Sequence, residues 1–411
     1  MANRLRVLAK LADLLTERSE ALAEAISVEM GKLIQQSRNE LKICAGIARY
    51  YAEKAPEFLK PVPYQTKLGE AWVEHHPIGV LVAVEPWNFP FYQLVRVVAP
   101  AIAVGNPILL KQAEIVPHCA ELFEAPVREA GAPDGACTNL YISNAQVSDL
   151  IGDDRIQGVA LTGSERAGSA VASRASEKLK KSTLELGGND VFIVLDDADV
   201  EKAAEVGARA RLANAGHVCT AAKRFLLQES IADRFLAAFS ARMKGVILGN
   251  PLDPSTTLGP LSSKGARDRL ESQVEAVVAK SATLLFGKAA NRQGYFYEPT
   301  ILTGIARDNP AFYEELFGPV AQIYVVGSDD EIVELANDSH FGLGGSIFAG
   351  DIERAKSLAS RIETGMVYIN TATGSMPELP FGDIKNSGFG QQLGDLGIKE
   401  FVNRKLIVVA G

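Results

Sequence analysis

The chain has 411 residues, 47% of them hydrophobic and 22% charged, enough for two or three domains with full cores. A net charge of −8 without long blocks of like charge argues against a nucleic-acid surface. No apolar run reaches the roughly 18 residues a membrane span needs, and no signal peptide is recognisable, so a cytoplasmic protein with no membrane partner is expected.

Residues 1–58 read as helical. The first helix is amphipathic, with Leu8, Leu11, Leu15, Leu22 and Ile26 in step. A proline-rich bend over 56–63 leads to an alternating strand over 70–76. Short apolar runs then alternate with helical stretches: 79–84, 107–110, 140–142 and 158–161 as strands, with 121–130 as a helix despite Pro126. Continuous apolar strands between helices indicate a buried, mostly parallel sheet. A second such region runs through 191–195, 224–227, 322–326 and 366–369, with the join near 185–190. The strand at 405–410 is isolated, like that at 70–76. Two such strands are expected to pair with each other or with a partner subunit.

The cysteines Cys44, Cys119, Cys137 and Cys219 lack CxxC or metal-ligand spacing, so no metal is expected. The first three read as small core residues. Cys219, in Asn214-Ala-Gly-His-Val-Cys219, also reads as core when taken alone. In a loop entering a helix or strand, however, its backbone N–H would face an oxyanion. A free thiol has a pKa of about 8.5, so a nucleophilic cysteine needs a lowered pKa, a base or a helix N-terminus. Glu185 ends a strand-like run before Gly187-Gly188. It is either a solvated strand end or a cleft carboxylate with a raised pKa, suited to general-base work. Asn88 lies in Pro86-Trp-Asn-Phe-Pro90, either a simple turn residue or a rigidly held amide donor. A thiol, a carboxylate and an amide in such turns are what oxidising an aldehyde through a thioester requires.

Other segments suit a dinucleotide. Strand 158–161 runs into Thr162-Gly-Ser-Glu-Arg-Ala-Gly168 and a helix, a phosphate-friendly turn without the GxGxxG spacing. Lys111 and Glu114 follow a strand at its carboxyl end, where α/β sheets bind ligands. A glutamate there would accept ribose hydroxyls and repel a 2′-phosphate, favouring NAD over NADP. Exposed loop charges are the plainer reading of both residues.

Over essentially its whole length the chain resembles the aldehyde dehydrogenase superfamily. The resemblance rests on Pro86-Trp-Asn-Phe-Pro90, Leu161-Thr-Gly-Ser164, Glu185-Leu-Gly-Gly188, Gly216-His-Val-Cys219, Glu314-Glu-Leu-Phe-Gly-Pro-Val320, Pro380-Phe-Gly382 and Ser387-Gly-Phe-Gly390. The segment after Cys219 is most similar to the short succinate-semialdehyde dehydrogenases. The resemblance implies a Rossmann-like cofactor domain over 1–58 and 78–187, an α/β catalytic domain over 188–390, and a small β oligomerisation element from 59–77 and 400–411. It implies Cys219 as nucleophile, Asn88 with the Cys219 N–H as oxyanion donors, and Glu185 as the base that hydrolyses the thioester. NAD, with NADP as a weaker cofactor, would meet Trp87, Lys111, Glu114, Gly163, Ser164, Gly187, Glu315 and Phe317. Arg96, on the helix expected after Pro90, would clamp a distal carboxylate, with Tyr92 and Ser375 beside it. A helix-surface arginine in a salt bridge is the plainer reading of Arg96. A homodimer or homotetramer is implied.

Five features depart from the family pattern, one being Asn189 in place of a Lys or Ser after the Gly-Gly pair. The N-terminal stretch is short, His217 replaces a common glutamine, Gln391-Gln392 replaces an Arg-Glu pair, and Asp383 replaces a glycine. The glutamate of that pair often assists the water relay, so hydrolysis would lean on Glu185 alone. The expected substrate is succinate semialdehyde. A neutral aliphatic or aromatic aldehyde is the alternative within this chemistry, and a non-catalytic structural protein is the alternative outside it.

Overall fold

The computed structural model describes residues 1–290 and 292–411. Helices α1 (Ala2–Glu17), α2 (Ser19–Met30) and α3 (Ile34–Phe58) open the chain. Leu8, Leu11 and Leu15 are buried on one face of α1, as their spacing predicts. Strands β1 (Val62–Tyr64) and β2 (Gly69–Pro77) follow, and β2 pairs antiparallel with Val402–Ala410 along its whole length. The two isolated strands therefore pair within one chain.

The first large sheet is built next: β3 (Val80–Glu85), α4 (Pro90–Val104), β4 (Ile108–Gln112), α5 (Pro117–Glu129), β5 (Cys137–Asn139), α6 (Asn144–Gly152), β6 (Ile156–Thr162), α7 (Glu165–Glu177) and β7 (Lys181–Glu185). Its six strands run Gly388–Phe389, β7, β6, β3, β4, β5, and only the Gly388–Phe389 edge is antiparallel. The strand expected over 140–142 lies instead at 137–139. Leu140 N donates to Leu110 O, and Ser143 then caps α6 in a capping box with Gln146. The apolar Leu-Tyr-Ile run is loop, and Tyr141 is exposed. Helix α5 continues through Pro126.

Helix α4 is apolar nearly all round and almost wholly buried, which makes it the central core helix. Pro90 opens it, where a missing N–H costs nothing. The buried Glu40 carboxylate accepts from Phe91 N at 2.9 Å and Tyr92 N at 3.1 Å, satisfying two orphan donors of its first turn. Lys32 pairs with Glu40 and stands 3.7 Å above the Phe89 ring.

The second sheet begins with β8 (Val191–Val194), α8 (Val200–Leu212) and β9 (Arg224–Gln228), and continues through β10 (Thr283–Phe286), β11 (Thr300–Thr303) and β12 (Val320–Val326). Its seven strands run β10, β11, β12, β9, β8, Gly345–Phe348, Tyr368–Ile369. The strand expected over 366–369 is only its last two residues. Separate apolar clusters pack around this sheet and around α1–α4.

The order of the first sheet places the site. The chain runs from β3 outward to β4 and β5, then returns to β6 on the other side of β3. A crevice opens at the carboxyl ends of β3 and β6, where α/β sheets bind ligands. The turn after β3 carries Asn88, and the turn after β6 carries Gly163 and Ser164.

Candidate active site

Cys219 sits on a loop held under strain. Asn214 (φ 50°), Ala215 (φ 51°) and Gly216 (φ 82°) are successive left-handed residues. For Asn and Ala such backbone costs about 1–2 kcal/mol each and persists only where surroundings impose it. A Cβ on Gly216 would stand 2.2 Å from the carbonyl carbon of Gly318, so only glycine fits. Asn214 Nδ2 donates to Asn88 O at 2.7 Å, and Asn214 N donates to Gln36 Oε1 at 3.0 Å. Two fully buried cations tie the loop from beneath. Arg211 donates to Gly216 O at 2.8 Å and Ala222 O at 3.2 Å. Lys223 Nζ donates to Cys219 O and Val218 O and pairs with Glu315 at 3.0 Å. The first left-handed residue begins after α8, and the loop ends at β9.

The Cys219 thiol is half-buried. Burial pushes it up to about 12, while Arg96 and Lys223 pull the other way. The lowered pKa that a nucleophile needs is therefore not built into this resting arrangement. Arg96 and Lys223 are the cations that favour the thiolate against that burial. His217 is no base for it: burial, Arg211 and Lys32 push its imidazole down to about 3. The ring is wedged between Trp87 at 4.7 Å and Phe317 at 5.4 Å, with both nitrogens unpartnered.

Asn88 is buried and gives Nδ2 to His217 O at 3.1 Å, inside the cysteine loop. An amide nitrogen has two donors, so one N–H stays free for a ligand. The turn is locked from both sides: Asn214 holds its carbonyl, and Gln112 Nε2 donates to Pro90 O at 2.6 Å.

Glu185 ends β7 at 3% exposure, with Oε1 buried and unpartnered. Burial raises its pKa against the pull of Arg96, as the cleft-carboxylate reading expects. Its carbonyl accepts from Gly163 N at 2.9 Å, which joins the turn after β6 to the end of β7.

Arg96 lies on α4 at 1% exposure, so the surface salt-bridge reading fails. Its Nη1 donates to Tyr92 Oη and its Nη2 to Thr162 Oγ1, both at 3.3 Å, and Nε has no partner. The guanidinium stacks between the Tyr92 and Phe381 rings, at 5.0 and 4.7 Å. It makes no direct ion pair among the described residues. Tyr92 Oη meets Ser375 Oγ at 2.6 Å. Arg96, Tyr92 and Ser375 line one cavity of about 190 Å³ with Cys219, walled by Phe89 and Phe381.

Five of the eight residues expected at a cofactor line two cavities, and Trp87, Gly163 and Phe317 line neither. One, of about 300 Å³, has Lys111 and Glu114 at the end of β4. The other, of about 240 Å³, has Ser164, Gly187 and Glu315. Ser164 Oγ caps α7, accepting from Ala167 N at 3.4 Å, and leaves the helix N-terminus open. Glu315 Oε1 accepts from Gly188 N at 3.3 Å, and a Cβ on Gly187 would lie 2.4 Å from Glu315 Oε2, so the carboxylate packs against bare backbone. Trp87 and Phe317 rings meet at 6.0 Å beside the cysteine loop. An open helix N-terminus, a carboxylate packed on bare backbone and an aromatic pair are groups of the kind a nicotinamide dinucleotide needs. Sequence reasoning missed Lys223, Arg211, Glu40 and Glu85. A charge ending an apolar strand run, as in Val-Leu-Val-Ala-Val-Glu85, was the available signal.

No helix among the described residues is long and apolar enough to cross a membrane. The aldehyde dehydrogenase family model matches residues 1–407. A succinate-semialdehyde dehydrogenase [NADP(+)] of Deinococcus radiodurans is 45% identical over 99% of this chain and 86% of its own length. A succinate semialdehyde dehydrogenase [NAD(P)+] of Escherichia coli is 43% identical, over 95% of this chain and 84% of its own. The crystal structure of succinic semialdehyde dehydrogenase from Streptococcus pyogenes in complex with NADP+ superposes with a TM-score of 0.98 at 47% identity, covering 100% of this chain and 90% of the other. The strained thiol loop, the buried carboxylate and the locked amide turn thus stand in a chain that belongs to the aldehyde dehydrogenase family.

Proposed function

We propose that the chain oxidises succinate semialdehyde to succinate with a nicotinamide dinucleotide. The observation that carries this reading is the unpaired Arg96 guanidinium, facing the same cavity as Cys219. No carboxylate among the described residues bonds it directly, and the N–H donors it does not give to Tyr92 and Thr162 can clamp a substrate carboxylate. Cys219 Sγ, as the thiolate, bonds to the aldehyde carbon while the C=O electron pair moves onto oxygen. The free Asn88 N–H and the Cys219 backbone N–H hold the oxygen of the thiohemiacetal. A nicotinamide dinucleotide held by Trp87, Gly187, Glu315 and Phe317 would supply the acceptor for the hydride whose loss leaves a thioester. Glu185 then takes a proton from water as the new C–O bond forms and the C–S bond breaks, leaving the thiolate.

Lys111 and Glu114 would hold the adenosine ribose, Gly163 and Ser164 the pyrophosphate, and Trp87, Gly187, Glu315 and Phe317 the nicotinamide side. NAD is the preferred cofactor in this reading, because the Glu114 carboxylate repels a 2′-phosphate. Residues 1–58 and 78–187 form the cofactor unit and 188–390 the thiol unit. The Val402–Ala410 strand is paired on one side only and exposes Leu406, Val408 and Val409, which supports pairing across subunits in a homodimer or homotetramer. Four unbridged cysteines support a reducing, cytoplasmic setting.

The test is kcat/KM for succinate semialdehyde against butanal with NAD and NADP. A preference for the semialdehyde of tenfold or more, on the order of one charge-assisted hydrogen bond, is expected. Equal values would favour the neutral-aldehyde reading, which the Phe89 and Phe381 walls would then explain.

A further inference from the structure

A second buried carboxyl lies beside Glu185. Asp383 is 6% exposed, and neither of its oxygens has a hydrogen-bond partner. The chain around it is pinned to β7. Leu186 N donates to Ser387 O at 2.7 Å, and Gly388 stands opposite Glu185 in the antiparallel pair. Asp383 Oδ2 lies 2.9 Å from the position a Cβ on Gly388 would take. The loop therefore delivers the Asp383 carboxyl to the residue that faces Glu185, whose own Oε1 is buried and unpartnered.

The charged neighbours make the pair unequal to full ionisation. The Arg96 charge, from α4, acts on both Glu185 and Asp383. Glu85, from β3, feels the charges of Arg96 and Glu185, and Cys219 lines the same cavity as Arg96. Gln391 and Gln392 pair with Gly382 and Phe381 and are neutral. One guanidinium thus stands against three buried carboxyls. Two adjacent buried carboxyls with one cation to share hold at least one proton between them. Burial raises both, and the Glu185 charge raises Asp383 further, so Asp383 keeps the proton longer.

We propose that Asp383 holds a proton toward Glu185 and thereby keeps Glu185 the ionised member of the pair, ready to take a proton from water. This rests on the reading of Glu185 as the base that hydrolyses the thioester. In that step the water oxygen bonds to the thioester carbon and its proton goes to Glu185. The C–S bond breaks with its electron pair on Cys219 Sγ, and the Asp383 proton stays in place. Asp383 is a positioning residue that acts through Glu185.

The test is the pH dependence of thioester hydrolysis, followed by rapid quench after a burst of NADH, in wild type, Asp383→Ala and Asp383→Asn. In Asp383→Ala the acidic limb should move up by about one pH unit and hydrolysis at pH 7 fall about tenfold, with the burst retained. Asn donates a hydrogen bond without a charge, so Asp383→Asn should restore the limb to within about 0.3 unit of wild type. Unmoved limbs in Asp383→Ala, or equal damage in both variants, would overturn the proposal. If Asp383→Ala does not fold, the limb of Asp383→Asn decides alone, a displaced limb counting against. A wild-type enzyme that gives no NADH burst with any aldehyde would instead overturn the underlying reading.

Discussion

Replacing Arg96 by lysine separates the two things its guanidinium does. Its charge lowers the pKa of Glu185, Glu85 and Cys219, and its fork offers donors to the cavity. Two of its five N–H groups go to Tyr92 and Thr162 over long 3.3 Å bonds, leaving others for a substrate carboxylate. Lysine keeps the charge but presents three donors from one point, so it cannot hold both hydroxyls and grip a carboxylate bidentately. One charge-assisted hydrogen bond is worth about 1.5–3 kcal/mol, or roughly 10- to 100-fold. In Arg96→Lys, kcat/KM for succinate semialdehyde should therefore fall roughly 10- to 100-fold, while kcat/KM for butanal changes less than about threefold. Arg96→Met removes the charge as well. Glu185 and Cys219 then bind their protons more tightly, and butanal turnover should also fall at neutral pH. Steady-state kinetics on both substrates reads the difference. Equal loss on both substrates in Arg96→Lys would refute the carboxylate role.

Other outcomes follow from the same geometry. Glu85, at the end of β3, is raised by burial from 4.5 to about 8. The folded chain holds that proton where the unfolded chain has lost it, so stability falls as pH rises from about 4.5 to 8, by up to ~5 kcal/mol. Glu85→Gln should flatten this loss in urea unfolding at pH 5 and pH 9, and identical slopes in both proteins would count against it. Gly216→Ala would force a Cβ into the Gly318 carbonyl at a left-handed position. It should slow Cys219 alkylation or burst formation by at least about tenfold and lower the melting temperature, since backbone cannot give way. Glu114→Gln should raise kcat/KM with NADP relative to NAD by roughly 3- to 30-fold, as expected for loss of one repulsive charge at a partly exposed site. No change in that ratio would remove Glu114 from cofactor choice.

Much of this arrangement was legible because its turns are punctuated. Pro86 and Pro90 bracket Asn88, Gly187-Gly188 follow Glu185, and glycine at 216 precedes Cys219. The residue types alone place Asn88 and Glu185 at strand ends and Cys219 in a turn. The continuous apolar runs at 79–84 and 158–161 likewise identify β3 and β6. Leu140-Tyr-Ile142 misled because an apolar run has no signal for which side of a turn it lies on, and here the ladder to β4 ends first. The electrostatics were less legible. Glu40 and the Lys223–Glu315 pair act between residues brought near only by packing, and Asp383 is carried to the Gly388 position opposite Glu185 by the pairing of distant strands. The departure of the Cys219 thiol from a lowered pKa has the same origin, since desolvation depends on what covers the group.

The most direct test of Cys219 as acyl carrier and Glu185 as its hydrolytic base is peptide mass spectrometry of Glu185→Gln. The variant is mixed with succinate semialdehyde and a nicotinamide cofactor, quenched in acid and digested. The expected result is one acyl group on the peptide bearing Cys219, formed together with one equivalent of NADH or NADPH and absent in Cys219→Ser. Stoichiometric reduced cofactor without that adduct, or an adduct on another residue, would contradict it.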